Sequence, residues 1–201
     1  MCWSAPVSLS TFLFSIVPLV ICYLLNLVTL RAFLFYQSFM MIQFVEYLLW
    51  TFLKNKTWNK VFSIFGFIAI FLLAFFSIYS VNNKYTNFVL VLYILFYLYI
   101  LTFIPIKFHT SIASNKHLSW EWLQLPLPII FIWTLFFMYS SVYAIYTGIV
   151  QNVMIILFVA FVYIFSFYSY YSSKTFGSMW CWISNALSIY FYILLFKKLN
   201  N

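Results

Sequence analysis

The sequence predicts an all-α integral membrane protein, a bundle of seven transmembrane helices forming one domain over residues 1–201. Three observations carry that prediction. The 201 residues are 67% hydrophobic and only 6% charged, and a soluble domain needs far more charge to cover its surface. A chain this short leaves much of its surface exposed, so a buried core cannot absorb that much apolar side chain. The apolar residues also gather into runs near the roughly 20 residues a helix needs to cross a bilayer. Spanning strands are shorter and alternate apolar with polar, whereas these runs are apolar on every face.

The runs follow in order. The first, 7–30, contains Pro18, where a kink is expected, and Cys22, a small buried hydrophobe. The preceding Met1-Cys2-Trp3-Ser4-Ala5-Pro6 has no basic residue, so the run is expected to be a retained helix rather than a cleaved signal. Arg31 separates it from the second run, 33–53. Lys54, Asn55, Lys56, Asn59 and Lys60 lead to the third, 61–82, which ends at Asn82, Asn83 and Lys84. The fourth covers 86–106. Pro105 to Gln124 is the longest connection. Pro126 and Pro128 suit the first turn of the fifth run, 125–147. Gly148 marks the turn to the sixth, 150–171, and Ser172, Ser173 and Lys174 precede the seventh, 175–196. There is no internal repeat and no soluble domain or linker.

The net charge of +8 does not read as a nucleic-acid footprint. The basic residues fall singly or in small groups between apolar runs, the pattern of membrane-flanking loops. The expected partner is the lipid bilayer, with no nucleic acid and no cofactor. An oligomer is compatible with the sequence. Seven crossings put the termini on opposite sides. The N-terminal side collects Lys54, Lys56, Lys60, Lys107, Lys116 and Lys174. The opposite side holds Arg31, Lys84, Lys197 and Lys198. The larger basic count favours the N-terminal side as cytoplasmic, while the first run alone, flanked only by Arg31, argues the reverse. Orientation and the identity of the membrane stay open.

Glu46, in "FVEYLLW" (44–50), is one of two acids in the chain; the other is Glu121. An intramembrane acid is costly and usually faces a cavity or a partner. Burial disfavours the charged carboxyl, so a neutral Glu46 is expected. Counted from the end of the second run it lies about 10 Å deep at ~1.5 Å per residue, with Gln43 a turn deeper and Trp50 a turn nearer the surface. The N-terminal side also receives Cys2, Trp3 and Ser4, the long connection, and Gly177, Ser178, Trp180 and Cys181, with Asn185 deeper. This convergence predicts a site there. The leading expectation is a channel or transporter for protons or small cations with Glu46 titrating. The alternatives are a lipid-modifying membrane enzyme, or a binding module for a cationic headgroup or amine caged by tryptophan.

Other groups carry weaker expectations. Trp3, Trp50, Trp58, Trp120, Trp122, Trp180 and Trp182 cluster on the N-terminal side and read mainly as an interfacial belt. His109 and His117 are ligand types for zinc, but no pair has tight ligand spacing, so no metal is the leading expectation. His117 and Glu121 share a face if their segment is helical. "HLSWEW" (117–122) reads as an amphipathic segment lying in the headgroups. A disulfide between Cys2 and Cys181 requires an oxidising compartment on that side. Asn26, Gln37, Ser38, Ser140, Ser141, Ser184 and Asn185 either form a polar column or make separate interhelical hydrogen bonds.

"MCWS", "EYLLW" and "GSMWCW" together resemble a family of small multi-pass membrane proteins that begin Met-Cys-Trp-Ser, from giant viruses and protists. The resemblance rests on three short anchors spread over most of the chain. It implies a signature of Cys2, Trp3, Ser4, Glu46, Trp50, Gly177, Ser178, Trp180 and Cys181. It implies no activity.

Overall fold

Local capping signals set where the helices begin and end. The structure, a computed structural model, describes residues 4–146 and 161–200. The expected site residues Cys2 and Trp3 and the expected turn at Gly148 lie outside the described residues, as do the side chains of Trp180, Cys181, Trp182, Ser184 and Asn185. Helix α1 (Ala5–Leu24) stops at Asn26, whose φ of 56° is left-handed. The Leu27 amide donates to the Cys22 carbonyl at 2.8 Å and the Asn26 amide to that of Tyr23 at 3.0 Å. These paired bonds close a helix at a positive-φ residue, a role Asn tolerates. The run expected over 7–30 therefore ends a turn early, and Asn26 caps it, exposed, rather than joining an internal polar column.

In α2 (Leu30–Thr51), Thr29 Oγ1 accepts from the Ala32 amide at 3.3 Å. Arg31 therefore lies in the first turn of α2, not between two helices. Its guanidinium sits 4.8 Å over the Tyr79 ring and donates to the Val81 carbonyl and Asn82 Oδ1. In α3 (Lys56–Ser80), Asn55 Oδ1 accepts from the amides of Thr57 and Trp58, each at 3.1 Å. Lys56, Asn59 and Lys60 are thus helical, and the expected start at 61 is too late. A side-chain cap satisfies the first amides of a helix whatever the hydropathy of its first turn.

Helix α4 (Thr86–Phe103) ends before Pro105, which disfavours helix in the residue preceding it. The expected run 125–147 is two helices, α5 (Leu127–Phe137) and α6 (Tyr139–Tyr146), interrupted at Met138. Ser77 Oγ donates to the Phe137 carbonyl at 2.6 Å and meets Ser140 Oγ at 2.8 Å. A side chain inserted into the carbonyl ladder there accounts for the break. Residues 161–170 are helical (α7), and a 3-10 turn, Ser178–Trp180, opens α8 (Cys181–Leu199).

Helix α2 packs between α1 and α3, α1 also meets α8, and α3 meets α4, α5 and α6. Among the described residues, α1 to α4 are long and apolar enough to cross a membrane, while α5, at 11 residues, is shorter. On α4 only Thr86, Tyr93 and Ile100 are buried. Its Phe88, Val91, Leu95, Leu98 and Phe103 are each more than half exposed. An apolar surface this continuous calls for an apolar solvent.

The long connection is not a headgroup-lying helix. It is a hairpin of β1 (Thr110–Ile112) and β2 (Leu118–Trp120), antiparallel with Thr110 opposite Trp120, followed by a 3-10 turn at Glu121–Leu123. The hairpin is driven into the bundle. Leu118, Trp120 and Trp122 are 0%, 2% and 1% exposed, so Trp120 and Trp122 are core residues rather than members of an interfacial belt. Their indoles stack at 4.9 Å and 13°. Trp122 fills the space a side chain on Gly66 of α3 would take, and Trp120 does the same at Gly177. Fully buried Asn59 locks the hairpin. Its Nδ2 donates to the carbonyls of Leu53 and Thr110, and its Oδ1 accepts from the Thr110 amide at 2.9 Å. Thr110 Oγ1 meets Ser63 Oγ at 2.9 Å and accepts from Trp122 Nε1 at 3.1 Å. The hydropathy of this segment suited the headgroups, but these satisfied polar contacts allow Trp122 to be buried deeper.

Candidate functional site

Helix α2 turns Phe39, Ile42, Gln43, Glu46 and Leu49 inward, the i, i+3, i+4, i+7 stripe of a core-facing helix. Glu46 is fully enclosed and Gln43 is 1% exposed. Because α2 ends at Thr51, Glu46 lies about 7.5 Å from that end at ~1.5 Å per residue, shallower than the expected ~10 Å. Trp50 follows one turn later, half-buried.

The face of α1 turned inward is polar along its first half. Ser8, Thr11 and Ser15 are buried, followed by Pro18, Leu19 and Cys22. The two helices are consecutive, packed together and antiparallel. Ser8 and Thr11, near the start of α1, therefore stand at the depth of Glu46 and Gln43, near the end of α2. Ser188 of α8 continues the seam, donating its hydroxyl to Ser15 Oγ at 2.5 Å. Ser8 Oγ is buried with no hydrogen-bond partner among the described residues. Ser4, half-buried, heads α1 one turn before Ser8, and its carbonyl accepts the Ser8 amide at 3.1 Å. Ser8, Thr11 and Ser15 were not expected site residues. Their spacing of three and four was the available signal, hidden because small hydroxyl residues are ordinary in apolar helices.

Two members of the expected polar set, Ser38 and Ser140, make separate hydrogen bonds. Ser38 Oγ donates to the Phe35 carbonyl of its own helix at 2.7 Å, and Ser140 is held by Ser77 at the α5–α6 break. Ser178 is buried beside Gly177 under the hairpin, its hydroxyl donating to the Thr175 carbonyl at 3.2 Å.

The histidines do not join Glu46 in any described contact. Lys107 Nζ lies 2.5 Å from Glu121 Oε2, and His109 Nε2 lies 4.0 Å from Oε1. The expected His117–Glu121 pair is absent, since the segment is strand and 3-10 turn rather than helix. His117 Nδ1 is buried without a hydrogen-bond partner among the described residues, and burial pushes the His117 pKa down. Among the described residues no three His, Cys, Asp or Glu side chains gather to hold a metal.

A separate crevice opens between α3, α4, α5, Tyr163 of α7 and the hairpin's exit. It is a small, partly open crevice with a cavity volume of about 30 Å³, lined by apolar and aromatic side chains that do not include Glu46. No family model matches the chain, and no curated protein or solved structure matches it.

Proposed function

We propose that the chain is a multi-pass membrane protein of seven crossings that carries protons across a bilayer, with Glu46 taking up and releasing the proton. The carrying observation is the enclosed seam in which Ser8, Thr11 and Ser15 of α1 and Ser188 of α8 share the interior with Gln43 and Glu46 of α2. An acid inside a membrane is characteristic of proton relays. Hydroxyls suit the flanking positions because each both donates and accepts. The seam's side chains are buried, which favours a species that moves by hydrogen-bond exchange over a hydrated cation. A lipid-modifying enzyme using Glu46 with a histidine has less support, because His109 turns to Glu121.

The test is proton flux into proteoliposomes containing a pH-sensitive dye, driven by a potassium gradient with valinomycin. Wild-type protein should exceed protein-free vesicles, and Glu46→Gln should cut the excess at least tenfold, an effect of about 1.4 kcal/mol on the barrier. Ser15→Ala should reduce it less. Flux equal to that of empty vesicles, or unchanged in Glu46→Gln, would overturn the proposal.

A further inference from the structure

Helix α1 carries a proline in its interior, Pro18. Proline has no amide hydrogen, so the carbonyl four residues earlier, that of Phe14, loses its helical donor. Facing lipid, such a carbonyl has no water to turn to and needs a donor from a neighbouring helix. Helix α8 supplies it. The Tyr192 hydroxyl donates to the Phe14 carbonyl at 3.2 Å, and the two rings lie 4.9 Å apart. Phe14 is 46% exposed and Tyr192 40%, so this bond lies at the outer edge of the bundle. One turn earlier on α8, the Ser188 hydroxyl donates to Ser15 Oγ at 2.5 Å.

Pro18 also divides α1 by composition. The buried residues before it are Ser8, Thr11 and Ser15, and those after it are Leu19 and Cys22. The second half is fixed by the helix end. The amides of Asn26 and Leu27 close on the carbonyls of Tyr23 and Cys22, Cys22 Sγ lies 3.6 Å from the Phe191 carbonyl, and Tyr23 stacks on Phe33 at 4.6 Å. The first half starts at Ser4 without a side-chain cap. The two hydroxyl bonds tie it to α8, and Phe12 meets Phe44 of α2 at 5.2 Å. A helix that lacks a rung bends at the gap.

We infer that α1 hinges at Pro18 and that Tyr192 is the latch of that hinge. With the latch closed, the first half of α1 lies against α2 and covers Glu46. With it released, that half swings outward and opens the seam toward the N-terminal end of α1. Tyr192 is a positioning residue, acting on Glu46 only through the backbone of α1. The hinge as a gate for protons rests on the proton-carrying reading above, whereas the movement itself does not.

The experiment times the labelling of Ser8→Cys by a water-soluble maleimide in lipid nanodiscs, which leave both membrane faces open to the reagent. The three native cysteines, Cys2, Cys22 and Cys181, are replaced by alanine. Ser8 is 0% exposed, so labelling reports opening. Tyr192→Phe keeps the ring and removes the hydroxyl, and it should speed labelling about two- to tenfold, the weight of one hydrogen bond. Pro18→Ala restores an amide to donate to the Phe14 carbonyl, and it should slow labelling. In that background Tyr192→Phe should change the rate by less than about twofold, because the carbonyl no longer depends on it. Ala74→Cys in α3, also 0% exposed, should label slowly in every background. The inference is overturned if Tyr192→Phe leaves the Ser8→Cys rate unchanged, or speeds it equally with proline or alanine at position 18. It is also overturned if Tyr192→Phe speeds labelling of Ala74→Cys as much, since that would be general loosening. Proton flux of Tyr192→Phe and Pro18→Ala, measured with the native cysteines and Ser8 in place, should rise and fall with labelling. Labelling that responds as described while no protein carries protons would uphold the hinge and overturn the proton reading alone.

Discussion

Gly66 offers a sharp test of the hairpin plug, because two physical effects there oppose each other in sign. At an unencumbered interior helix position, glycine to alanine stabilises by about 1 kcal/mol through backbone entropy. At Gly66 the new β-carbon would sit 2.6 Å from Trp122 Cζ2 and 2.8 Å from Cη2. Trp122 has little room to retreat. It is 1% exposed, donates to Thr110 Oγ1 at 3.1 Å, stacks on Trp120 at 4.9 Å, and meets Phe67 edge-on. Overpacking of this kind costs about 1–3 kcal/mol. Gly66→Ala should therefore lower stability by up to about 2 kcal/mol, the difference of the two effects. In a Trp122→Phe background the obstructing ring is smaller, and the same substitution should turn stabilising by up to about 1 kcal/mol. Equilibrium unfolding in mixed micelles, followed by circular dichroism, gives the four corners of the cycle. The near-ultraviolet signal of the stacked indoles reports the plug directly. A stabilising Gly66→Ala in the Trp122 background, or a coupling below about 0.5 kcal/mol, would refute the packing described for α3 and the hairpin.

Two further outcomes follow from the hairpin. Asn59→Leu leaves the Thr110 amide and the carbonyls of Leu53 and Thr110 without their buried partner, at about 1–3 kcal/mol for each group left unsatisfied. Amide exchange at Thr110 and proteolysis within 107–120 should accelerate sharply, and unchanged protection would show that Asn59 is not the lock. His117 has its pKa lowered by burial from the usual 6.5, so the unfolded chain takes up the proton first. That contribution to stability is intact above about pH 6.5 and is lost as pH falls below it. The unfolding midpoint should decline on acidification, His117→Gln should flatten the decline, and an equal slope in both proteins would exclude His117 as its source.

The helical class and the apolar outer surface were legible because they follow from composition and run length, which are local and additive quantities. Helix edges were less so. Asn26, Thr29 and Asn55 set them through single side-chain and backbone hydrogen bonds, which a hydropathy window averages away. The break at Met138 was not readable from its own segment. Its cause, Ser77, comes from another helix.

The candidate site divides in the same way. Glu46 stood out in the sequence because an acid in a membrane-length apolar run is rare on energetic grounds alone. Its polar neighbours did not, since a serine on α1 becomes part of a site only when helix packing turns it toward α2. The hairpin shows the widest gap. Hydropathy placed its tryptophans at an interface, and partners distant in sequence (Gly66, Asn59, Gly177) decide that they are core. The sequence by itself determined that long apolar helices form and that one acid lies within such a run. Only the tertiary structure decided what surrounds that acid and which end of the bundle is plugged, because both depend on contacts between residues that lie far apart along the chain.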